Sequence, residues 1–533
     1  MRVIGDLSRL NAIRYPRKAA LTMRGAVLSY AELQRRSNQL AHALLGAGIE
    51  PGERIGLLAP NRLDYAIITQ AVAKCGAILV PMNFRCGPSE IRHVLEHAEP
   101  KLLFIEAGFE AQVAAAIAAG APAPRIITLP SEALDSDGGR AAPGTALGES
   151  GAPEVDPPVS VDPASPCVIM YTSGTTGRPK GVLVSHTTYF RMYLATAIET
   201  RLHHEDVYLI AVPMFHAAGL NMALHQCLFM GATGVIHRGP FEPEPILRLM
   251  QERRVTLAIL VPTTLALLAE HPRVAAYDLS SLEKIFYGSM PIRPAVLERA
   301  RRVFPRARFN QLYGSTEAGM VSVLREEDHA RWSQTTGRQA LLTESRIVDE
   351  SGGPVPVGGI GEVIVRQASM GMIGYWRDEA ATREAIRDGW IHTGDLARVE
   401  PEGFFTLVDR RTDVIISGGE NIYPKEIENL IATHPAVREV AVFGVPDERY
   451  GEAVCAAVVL GQGQTATAEE IIAFCVAGLA SYKRPRRVEF HASLPRNASD
   501  KVQKTVLRAR HSHGGSPPPC NSSGAGLGSA IRR

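Results

Sequence analysis

Cysteine is scarce in this chain and is not spaced for metal binding or for a disulfide framework. The 533 residues include seven cysteines, none of them in a Cys-x-x-Cys arrangement. This pattern favours buried free thiols over a zinc motif or a disulfide scaffold. The histidine pairs His203-His204 and His511-x-His513 have no supporting ligands close in sequence, so we interpret both as solvated loops rather than metal sites.

A long hydrophobic run is also missing. No stretch approaches the ~20 consecutive apolar residues that span a bilayer. The opening residues, MRVIGDLSRLNAIRYP, lack the continuous apolar core and the small-residue cleavage site of a secretion signal. We therefore predict a cytoplasmic protein without integral membrane association.

The chain has almost no excess of charge of either sign. It has 57 basic and 55 acidic residues, a formal net charge of +2, which gives no bulk preference for nucleic acid or anionic membrane. Lysine is especially rare, with nine among those 57, so a lysine inside a motif is informative. The 45% apolar and 21% charged content is ordinary for a soluble protein, and the length exceeds one small domain.

Short apolar runs alternate with helical patterns over most of the chain. Residues 53–83 read as strand, helix and strand, which predicts a parallel sheet. Ser29 and Glu32 form a capping-box pattern at the start of an earlier helix. Short strands separated by glycine turns over 360–408 predict a more antiparallel region. The strand rhythm recurs in CVIMY (167–171), KIFYG (284–288) and ARFNQLYG (307–314).

A second unit of mixed α and β structure begins near residue 410. It contains two strand patterns around a turn, then the helical pattern AEEIIAFCVAGLA and the strand RRVEFH. About 100 residues of this kind are enough for a domain. The Gly/Ser/Pro-rich segment 511–533 predicts a disordered tail.

The segment from Tyr171 to Gly181, YTSGTTGRPKG, has the composition of a phosphate-binding loop. Its glycines let the backbone approach a ligand, and its hydroxyl and amide groups can surround phosphate oxygens. Lys180 adds a cation. The segment is not a Walker motif, because Lys180 lies between a proline and a glycine.

Two further segments carry groups suited to a nucleotide. QLYGSTEAG (311–319) ends a predicted strand, and ligands bind at the carboxyl ends of parallel strands. In it, Tyr313 offers a ring face, Thr316 a hydroxyl, and Glu317 a carboxylate suited to a hard cation such as Mg²⁺. In WIHTGD (390–395), Asp395 can accept two hydrogen bonds from a vicinal diol such as ribose.

Two more segments belong to the second unit. The fourth, DRRTDVIISGGENIYPKEIE (409–428), lies at its start, and the fifth, LPRNASDKVQK (494–504), carries Lys501 and Lys504 in a polar loop. In this order, the five segments resemble the adenylate-forming superfamily of acyl- and aryl-CoA ligases, free-standing adenylation domains and beetle luciferases. The resemblance covers residues from about 10 to 510.

The resemblance implies an α/β fold in two domains. The expected large N-terminal domain (1–409) consists of stacked α/β sheets with a small β-barrel-like part. A hinge at 410–412 would join it to a small, mobile α+β domain (413–510). The implied reaction converts a small carboxylic acid and MgATP into an acyl-adenylate and pyrophosphate, after which coenzyme A displaces AMP. The sequence leaves the oligomeric state open, and we take a homodimer as the expectation.

The resemblance also assigns residues. Over the phosphates it places Thr172, Ser173, Gly174, Thr175, Thr176, Gly177 and Lys180. Around the adenine and ribose it places Gly288, Ser289, Tyr313, Gly314, Asp395 and Arg410. Thr316 would contact the α-phosphate, Glu317 would bind Mg²⁺, Lys501 would contact carboxylate and α-phosphate, and His216 would stand between the acyl pocket and the thiol tunnel. The remaining implied positions are Ser417, Gly418 and Gly419 at coenzyme A, Thr412 as hinge, and Ala217, Gly219, Met320 and Val321 in the acyl pocket.

Two positions depart from the family pattern: Asp500 replaces a common glycine, and Thr412 stands where the hinge is often Asp or Lys. Loading of a carrier-protein thiol is the main alternative function, ahead of a luciferase-like oxygenase and a non-catalytic nucleotide sensor. Residues 213–221 lack the aspartate of the amino-acid-activating branch. The predicted pocket also has no Arg or Lys, which disfavours a dicarboxylate and leaves an aryl or medium-chain acid.

Overall fold

The computed structural model describes residues 2–131, 151–172, 179–290, 292–418, 420–476, 478–496 and 502–511. The chain divides into two compact units, Met1–Val408 and Asp409–Arg533. None of the helices formed by these described residues is long and apolar enough to cross a membrane. The predicted tail, apart from His511, lies outside the described residues.

The large unit is built from short strands and helices in alternation. Its strands are β1 (Ala19–Met23), β2 (Ala26–Ser29), β3 (Arg54–Leu58), β4 (Ile78–Met82), β5 (Leu102–Glu106), β6 (Arg125–Leu129), β7 (Pro166–Thr172), β8 (Lys180–Ser185), β9 (Val207–Ile210), β10 (Thr233–Ile236), β11 (Leu257–Leu260), β12 (Lys284–Gly288), β13 (Arg308–Ser315), β14 (Gly319–Leu324), β15 (Arg338–Gln339), β16 (Ser345–Val348), β17 (Ile360–Arg366), β18 (Gly374–Tyr375), β19 (Ile386–Arg387), β20 (Trp390–Val399) and β21 (Phe405–Arg410), the last of which runs into the second unit. Its helices are α1 (Asp6–Arg14), α2 (Tyr30–Gly46), α3 (Leu63–Lys74), α4 (Pro88–Ala98), α5 (Glu110–Ala118), α6 (His186–Glu199), α7 (Gln226–Met230), α8 (Pro243–Glu252), α9 (Pro262–Ala269), α10 (Pro294–Val303), α11 (His329–Trp332), α12 (Gln367–Met370) and α13 (Glu379–Ala385).

Two large sheets form most of this unit. Among the described residues, sheet A has nine strands in the order β15-β14-β13-β12-β11-β9-β10-β1-β2, and sheet B has seven in the order β18-β8-β7-β4-β3-β5-β6. In sheet A the strands from β1 through β10, β9, β11 and β12 to β13 are parallel, and antiparallel pairing adds β2 at one edge and β14 and β15 at the other. In sheet B the strands from β7 through β4, β3 and β5 to β6 are parallel, and antiparallel pairing adds β8 and β18 at one edge. Helical crossovers produce such parallel interiors, as the strand–helix–strand pattern predicts.

Helices between the two sheets make the central core. Helix α3 contacts β1 of sheet A and β4 of sheet B, and α6 contacts β14 of sheet A and β8 of sheet B. Every residue of α3 from Asp64 to Lys74 is buried, the polar Asp64, Gln70 and Lys74 included, which is consistent with its place between the two sheets. The Ser29 hydroxyl accepts a hydrogen bond from the Glu32 amide at 3.1 Å and begins α2 as predicted. The expectation of stacked α/β sheets is confirmed.

The region after sheet A folds differently. Strands β16, β17, β20 and β19 form an antiparallel sheet C, and β21 also pairs with β20. A hydrogen-bond irregularity interrupts the pairing of β17 and β20 between Glu362 and Ile364. This sheet confirms the antiparallel pattern predicted for residues 360–408.

The second unit is a small α+β fold. Its elements are β22 (Ile415–Ser417), β23 (Glu420–Ile422), α14 (Pro424–Ile431), β24 (Val437–Asp447), β25 (Gly451–Leu460), α15 (Ala468–Val476), β26 (Arg487–Phe490) and α16 (Lys504–Ala509). Its strands form sheet D in the order β23-β22-β25-β24, with β26 parallel to β25. Helices α14 and α15 cover one face of this sheet, where Ile427 and Ile471 are buried. Helix α16 covers the other face through Leu507.

Candidate active site

The predicted phosphate loop connects two antiparallel strands of sheet B. Thr172 at the end of β7 pairs in register with Lys180 at the start of β8, so both ends of the loop are anchored in the sheet. The Lys180 ammonium lies 5.0 Å from the ring centroid of Tyr375, within the range of a cation–π contact. Ser173, Gly174, Thr175, Thr176 and Gly177 lie outside the described residues.

The Glu317 carboxylate brings sheets A and B together at this point. Glu317 is in the turn between β13 and β14, and its Oε1 accepts hydrogen bonds from the Thr172 hydroxyl at 3.4 Å and from the Tyr375 hydroxyl at 3.3 Å. Burial, and then the neighbouring Glu317 carboxylate, raises the pKa of Tyr375. Tyr375 therefore remains a neutral donor at physiological pH. Two separately predicted segments thus meet through a single carboxylate.

The turn that carries Thr316 and Glu317 is closed by local bonds. The Ala318 amide donates to the Ser315 hydroxyl at 3.0 Å, and the Met372 amide donates to the Glu317 carbonyl at 2.8 Å. Gly319 has φ +69°, and a Cβ there would lie 2.6 Å from the Met370 carbonyl oxygen. The turn therefore needs glycine both for its backbone angle and for space.

Tyr313 and Asp395 form a second link between segments. The Tyr313 hydroxyl donates to Asp395 Oδ2 at 2.7 Å, although the residues are 82 positions apart. The Tyr313 ring also packs edge-on against Phe405 at 6.1 Å. Tyr313 belongs to β13 of sheet A and Asp395 to β20 of sheet C, so the predicted adenine and ribose residues are adjacent.

A buried glutamate that sequence reasoning missed holds the Asp395 turn in place. Glu362 Oε1 accepts from the Gly394 amide, and its Oε2 lies 3.0 Å from His392 Nδ1. Gly394 has φ +72°, and the Asp395 amide donates to the Thr393 hydroxyl at 3.1 Å. Glu362 is in β17, about 30 residues earlier, and its only signal in the sequence is a charged residue at the start of the apolar run EVIVR.

Close backbone contacts define the edge where β12 and β13 end. Gly288 pairs with Leu312, and a Cβ on Gly288 would lie 2.2 Å from the Leu312 carbonyl oxygen. A Cβ on Gly314 would lie 2.1 Å from the Gly319 carbonyl oxygen. Ser289 follows with φ +66°. The predicted adenine-facing residues therefore lie together at the carboxyl edge of sheet A, where nucleotide sites form in such sheets.

His216 lies in a segment that is fixed by a distant amide. Asn61 Oδ1 accepts from the Met214 amide at 2.8 Å, and Asn61 Nδ2 donates to the Val212 carbonyl at 3.1 Å. The His216 ring, half-buried, lies 4.3 Å from the Phe215 ring. Asn61 follows β3, so nothing near residue 216 in the sequence points to it.

Three of the four predicted acyl-pocket residues belong to, or pack against, the apolar core around α6, and the fourth, Gly219, is buried. Met320 and Val321 are buried in β14, and Ala217 packs against the same cluster. A Cβ on Gly219 would lie 2.0 Å from the Pro213 carbonyl oxygen, so this position admits only glycine. The surroundings are apolar, and the Thr196 hydroxyl contacts the Met320 sulfur at 3.5 Å.

The remaining predicted residues belong to the small unit. Thr412 is in a short helical turn, Arg411–Asp413, and its carbonyl accepts from Arg508 Nη1 of α16 at 3.1 Å. Arg410 ends β21, and its amide donates to Asp409 Oδ1. Ser417 is buried, and the Gly418 amide donates to the Tyr450 carbonyl at 2.8 Å, with Gly418 at φ +61°. Gly419 and Lys501 lie outside the described residues.

Comparison with known proteins agrees with this geometry. The family model described as AMP-binding enzyme matches residues 9–376, and that of the AMP-binding enzyme C-terminal domain matches residues 426–501. The chain belongs to the AMP-binding enzyme family. The predicted resemblance to adenylate-forming enzymes and the predicted two-part fold are confirmed.

Relatives share both the length and the fold of this AMP-binding enzyme. Feruloyl-CoA synthase of an Amycolatopsis species is 39% identical over 93% of this chain and 96% of its own. A fatty acid–[acyl-carrier-protein] ligase of Streptomyces coeruleorubidus is 36% identical over 96% of both chains. The ATP-bound crystal structure of MatB from Rhodopseudomonas palustris has a TM-score of 0.86 at 29% identity, covering 96% of this chain and 99% of that one. The predicted enzyme class, an AMP-forming acid–thiol ligase, is confirmed.

Proposed function

We propose that this AMP-binding enzyme activates an aromatic carboxylic acid with ATP and transfers the acyl group to coenzyme A. One observation carries the proposal: Thr172, Glu317, Tyr313 and Asp395 come from three sheets and meet in two hydrogen-bonded pairs. Hydroxyl, carboxylate and aromatic groups at the carboxyl edge of a parallel sheet suit a nucleotide. The similarity to feruloyl-CoA synthase supports an aromatic acid.

In the first half-reaction, a carboxylate oxygen attacks the α-phosphorus of ATP. The bond from that phosphorus to the bridging oxygen breaks, and pyrophosphate leaves with the electron pair. Two anions must approach each other, so preorganised positive charge lowers the barrier. Lys180 would face the outer phosphates, Thr316 would donate to the α-phosphate, and Lys501 would contact both reacting anions.

The donors around Glu317 fit a divalent cation shared with ATP. Mg²⁺ in proteins commonly binds one or two carboxylates together with substrate phosphates. The Glu317 carboxylate, with the Thr172 hydroxyl 3.4 Å from it, offers hard oxygen ligands beside the phosphate loop. When bound there, Mg²⁺ would neutralise phosphate charge during the attack. Glu317 holds that position because the Tyr375 hydroxyl orients its carboxylate.

In the second half-reaction, the thiolate of coenzyme A attacks the acyl carbonyl carbon. The mixed anhydride bond breaks and AMP leaves, so the product is a thioester. A thiol with an ordinary pKa of ~8.5 reacts through its minor thiolate form, and no protein base is required. We assign His216 to the boundary between acyl pocket and thiol tunnel. Ser417, Gly418 and Gly419 would line the pantetheine arm after the small unit rotates at Thr412.

The second candidate is transfer to a carrier-protein thiol, which the acyl-carrier-protein ligase relative favours. Both reactions share the adenylation step and differ in the thiol that accepts the acyl group. An experiment that varies only the acceptor thiol, coenzyme A or a carrier protein, therefore distinguishes the two functions.

A panel assay tests the proposal. Purified enzyme is given MgATP with ferulate-type aromatic acids, medium-chain acids or long-chain acids, and AMP and thioester are measured with coenzyme A or a phosphopantetheinylated carrier. We expect thioester formation with coenzyme A and an aromatic acid. Lys501→Ala should lose adenylation but still convert supplied acyl-adenylate, whereas Lys483→Ala serves as a matched control. Thioester on the carrier alone, or activation of fatty acids only, would overturn the assignment.

A further inference from the structure

Three metal-binding side chains meet in the small unit, apart from the residues assigned to ATP or coenzyme A. The Cys455 sulfur, a Glu489 carboxylate oxygen and a His511 ring nitrogen all lie within 4.8 Å of one another. Cys455 is fully buried, and the His511 and Glu489 side chains are 16% and 28% exposed. A site of this kind is closed on one side and open to solvent on the other.

The fold explains why these residues meet although they are far apart in sequence. Strands β25 and β26 are parallel, with Ala457 opposite Glu489. Cys455 is two residues before Ala457 and therefore points to the same face of sheet D. Helix α16 packs on that face, and His511 follows its last turn. The sequence pattern around His511 could not reveal ligands supplied by two distant strands.

The spacing of the cluster matches what a small metal ion needs. His511 Nε2 and Glu489 Oε1 form an ion pair at 3.0 Å. Nitrogen and oxygen ligands of tetrahedral zinc, each ~2.0–2.1 Å from the metal, are about 3.3 Å apart, so the two groups need to separate by only about 0.3 Å to share an ion. His491 Nε2 lies 3.4 Å from the other oxygen of Glu489, so it can hold the carboxylate in place. Hydrogen bonds of this kind orient the ligands in established metal sites.

We propose that Cys455, Glu489 and His511 form a Zn²⁺ site, with water in the fourth position. One sulfur, one nitrogen and one oxygen donor suit a borderline-soft ion, whereas Mg²⁺ and Ca²⁺ prefer oxygen alone. Binding replaces the proton of the Cys455 thiol, which is released to solvent. The ion would join β25 and β26 to the chain that leaves α16.

Metal content measured on the full-length enzyme tests this site. Chelator-treated protein is incubated with Zn²⁺ alone, passed through a desalting column and analysed for metal per chain. We expect one retained Zn²⁺ in the wild type, and at least tenfold weaker binding in Cys455→Ala and in His511→Ala. Cys475→Ala, at another buried cysteine of the same unit, and His434→Ala should retain it. No retained zinc in the wild type, or unchanged binding in both cluster variants, would overturn the proposal.

Cobalt provides an independent readout. Co²⁺ bound by a thiolate gives a charge-transfer absorption that nitrogen and oxygen ligands do not give. This band should appear with the wild type and with Cys475→Ala, and should be absent from Cys455→Ala. If Cys455→Ala fails to fold by circular dichroism, His511→Ala decides, because the His511 side chain is partly exposed and lies outside sheet D. A thiolate band of full intensity in His511→Ala, at wild-type Co²⁺ affinity, would exclude His511 as a ligand.

Discussion

At the residue scale, Glu317 illustrates how one side chain can join two sheets at a proposed substrate site. Its carboxylate accepts from Thr172 of sheet B and from Tyr375, which in turn faces the Lys180 ammonium. These two hydroxyl donors fix one carboxylate oxygen beside Thr172, where the phosphate loop begins. Replacing the Glu317 carboxylate by the neutral amide of glutamine keeps the size of the side chain and removes its charge. The electrostatic role of Glu317 can therefore be tested separately from its packing.

Glu317→Gln should raise the Mg²⁺ concentration needed for half-maximal adenylation and lower the adenylation rate by about 10²–10³-fold, as loss of one preorganised charge typically does. The physical reason is the removal of a hard anionic ligand from the phosphate site. A Mg²⁺ titration of pyrophosphate release measures both effects. Glu298→Gln, at an exposed position of α10, is the control, and an identical titration in the two variants would place the cation elsewhere.

Tyr313→Phe tests the link between sheets A and C. The variant keeps the ring beside the proposed adenine position but loses the 2.7 Å hydrogen bond to Asp395. Because a hydrogen bond to a charged group contributes about 1.5 kcal/mol or more, we expect the KM for ATP to rise about tenfold. The KM for the carboxylic acid should stay unchanged. Steady-state kinetics of Tyr277→Phe gives the baseline, and equal KM values for ATP in the two variants would refute the role.

At the element scale, α16 is attached to α14 by a largely buried ion pair. Lys504, predicted to lie in a polar loop, instead begins α16, with its Nζ 2.8 Å from Glu428 Oε1. Burial alone would raise the pKa of Glu428, but Lys504, Lys425 and the Val442 amide together hold that pKa below its ordinary value. The loop prediction for Lys504 is wrong because its pairing partner, Glu428, is 76 residues earlier in the sequence, and no local pattern indicates the pair.

Lys504→Met should destabilise the small unit by about 3 kcal/mol, near the lower end for a broken buried ion pair, since Lys425 remains beside Glu428. A lowered carboxyl pKa contributes stability above the unfolded value of ~4.3 and loses it as the pH falls through the folded value. The deficit should therefore be largest at pH 7 and shrink below pH ~4. Hydrogen exchange of α14 (residues 424–431) and α16 (residues 504–509) in the full chain measures this loss of stability at each pH.

The control for this variant is Lys483→Met, which breaks a more exposed pair with Glu426. Such pairs contribute at most about 1 kcal/mol. A deficit in Lys504→Met that is equal at pH 4 and pH 7 would contradict the ionic explanation and indicate packing alone.

The bounds of strands that have a clear local pattern could be predicted from the sequence. Which strands pair with each other in the sheets could not. The runs 284–288 and 307–314 became β12 and β13 with at most one residue of difference, because their apolar residues and flanking turn residues are contiguous. The pairing of β1 with β10 joins residues about 210 positions apart, and no local signal specifies it. For the same reason Tyr375, Glu362 and Asn61 were missed: each acts through a contact formed only after folding.

At the scale of the whole molecule, two compact units must serve two half-reactions. Arg508 of α16 donates to the Thr412 carbonyl, and its guanidinium lies 3.4 Å from the Asp413 carboxylate. The proposed hinge is therefore braced by the small unit itself. Rotation of the small unit about Thr412 would have to break or stretch these contacts. We therefore expect the change of backbone torsion to be confined to one or two residues, as in other protein hinges.

Thr412→Pro should block the second half-reaction and spare the first. Proline fixes φ near −65° and would hold the small unit in one orientation, so adenylation continues while CoA-dependent turnover collapses. The two rates are measured separately, as pyrophosphate release and as thioester formation from supplied acyl-adenylate. Thr412→Ala, which leaves φ free, should keep both. Wild-type thioester formation by the proline variant would move the hinge away from residue 412.

Three tightly packed glycines of the candidate site bear on attempts to redirect this enzyme to other acids. A side chain at Gly219, Gly288 or Gly314 would come within about 2 Å of a carbonyl oxygen, and all three oxygens belong to backbone that cannot turn aside. A mutant library that varies these positions would consist mostly of misfolded protein. Variation confined to side chains of the proposed acyl pocket, such as Ala217 and Met320, would keep the peptide framework constant while it changes the side-chain volume there. If those residues line the pocket as we propose, a small, targeted library should outperform a saturating one.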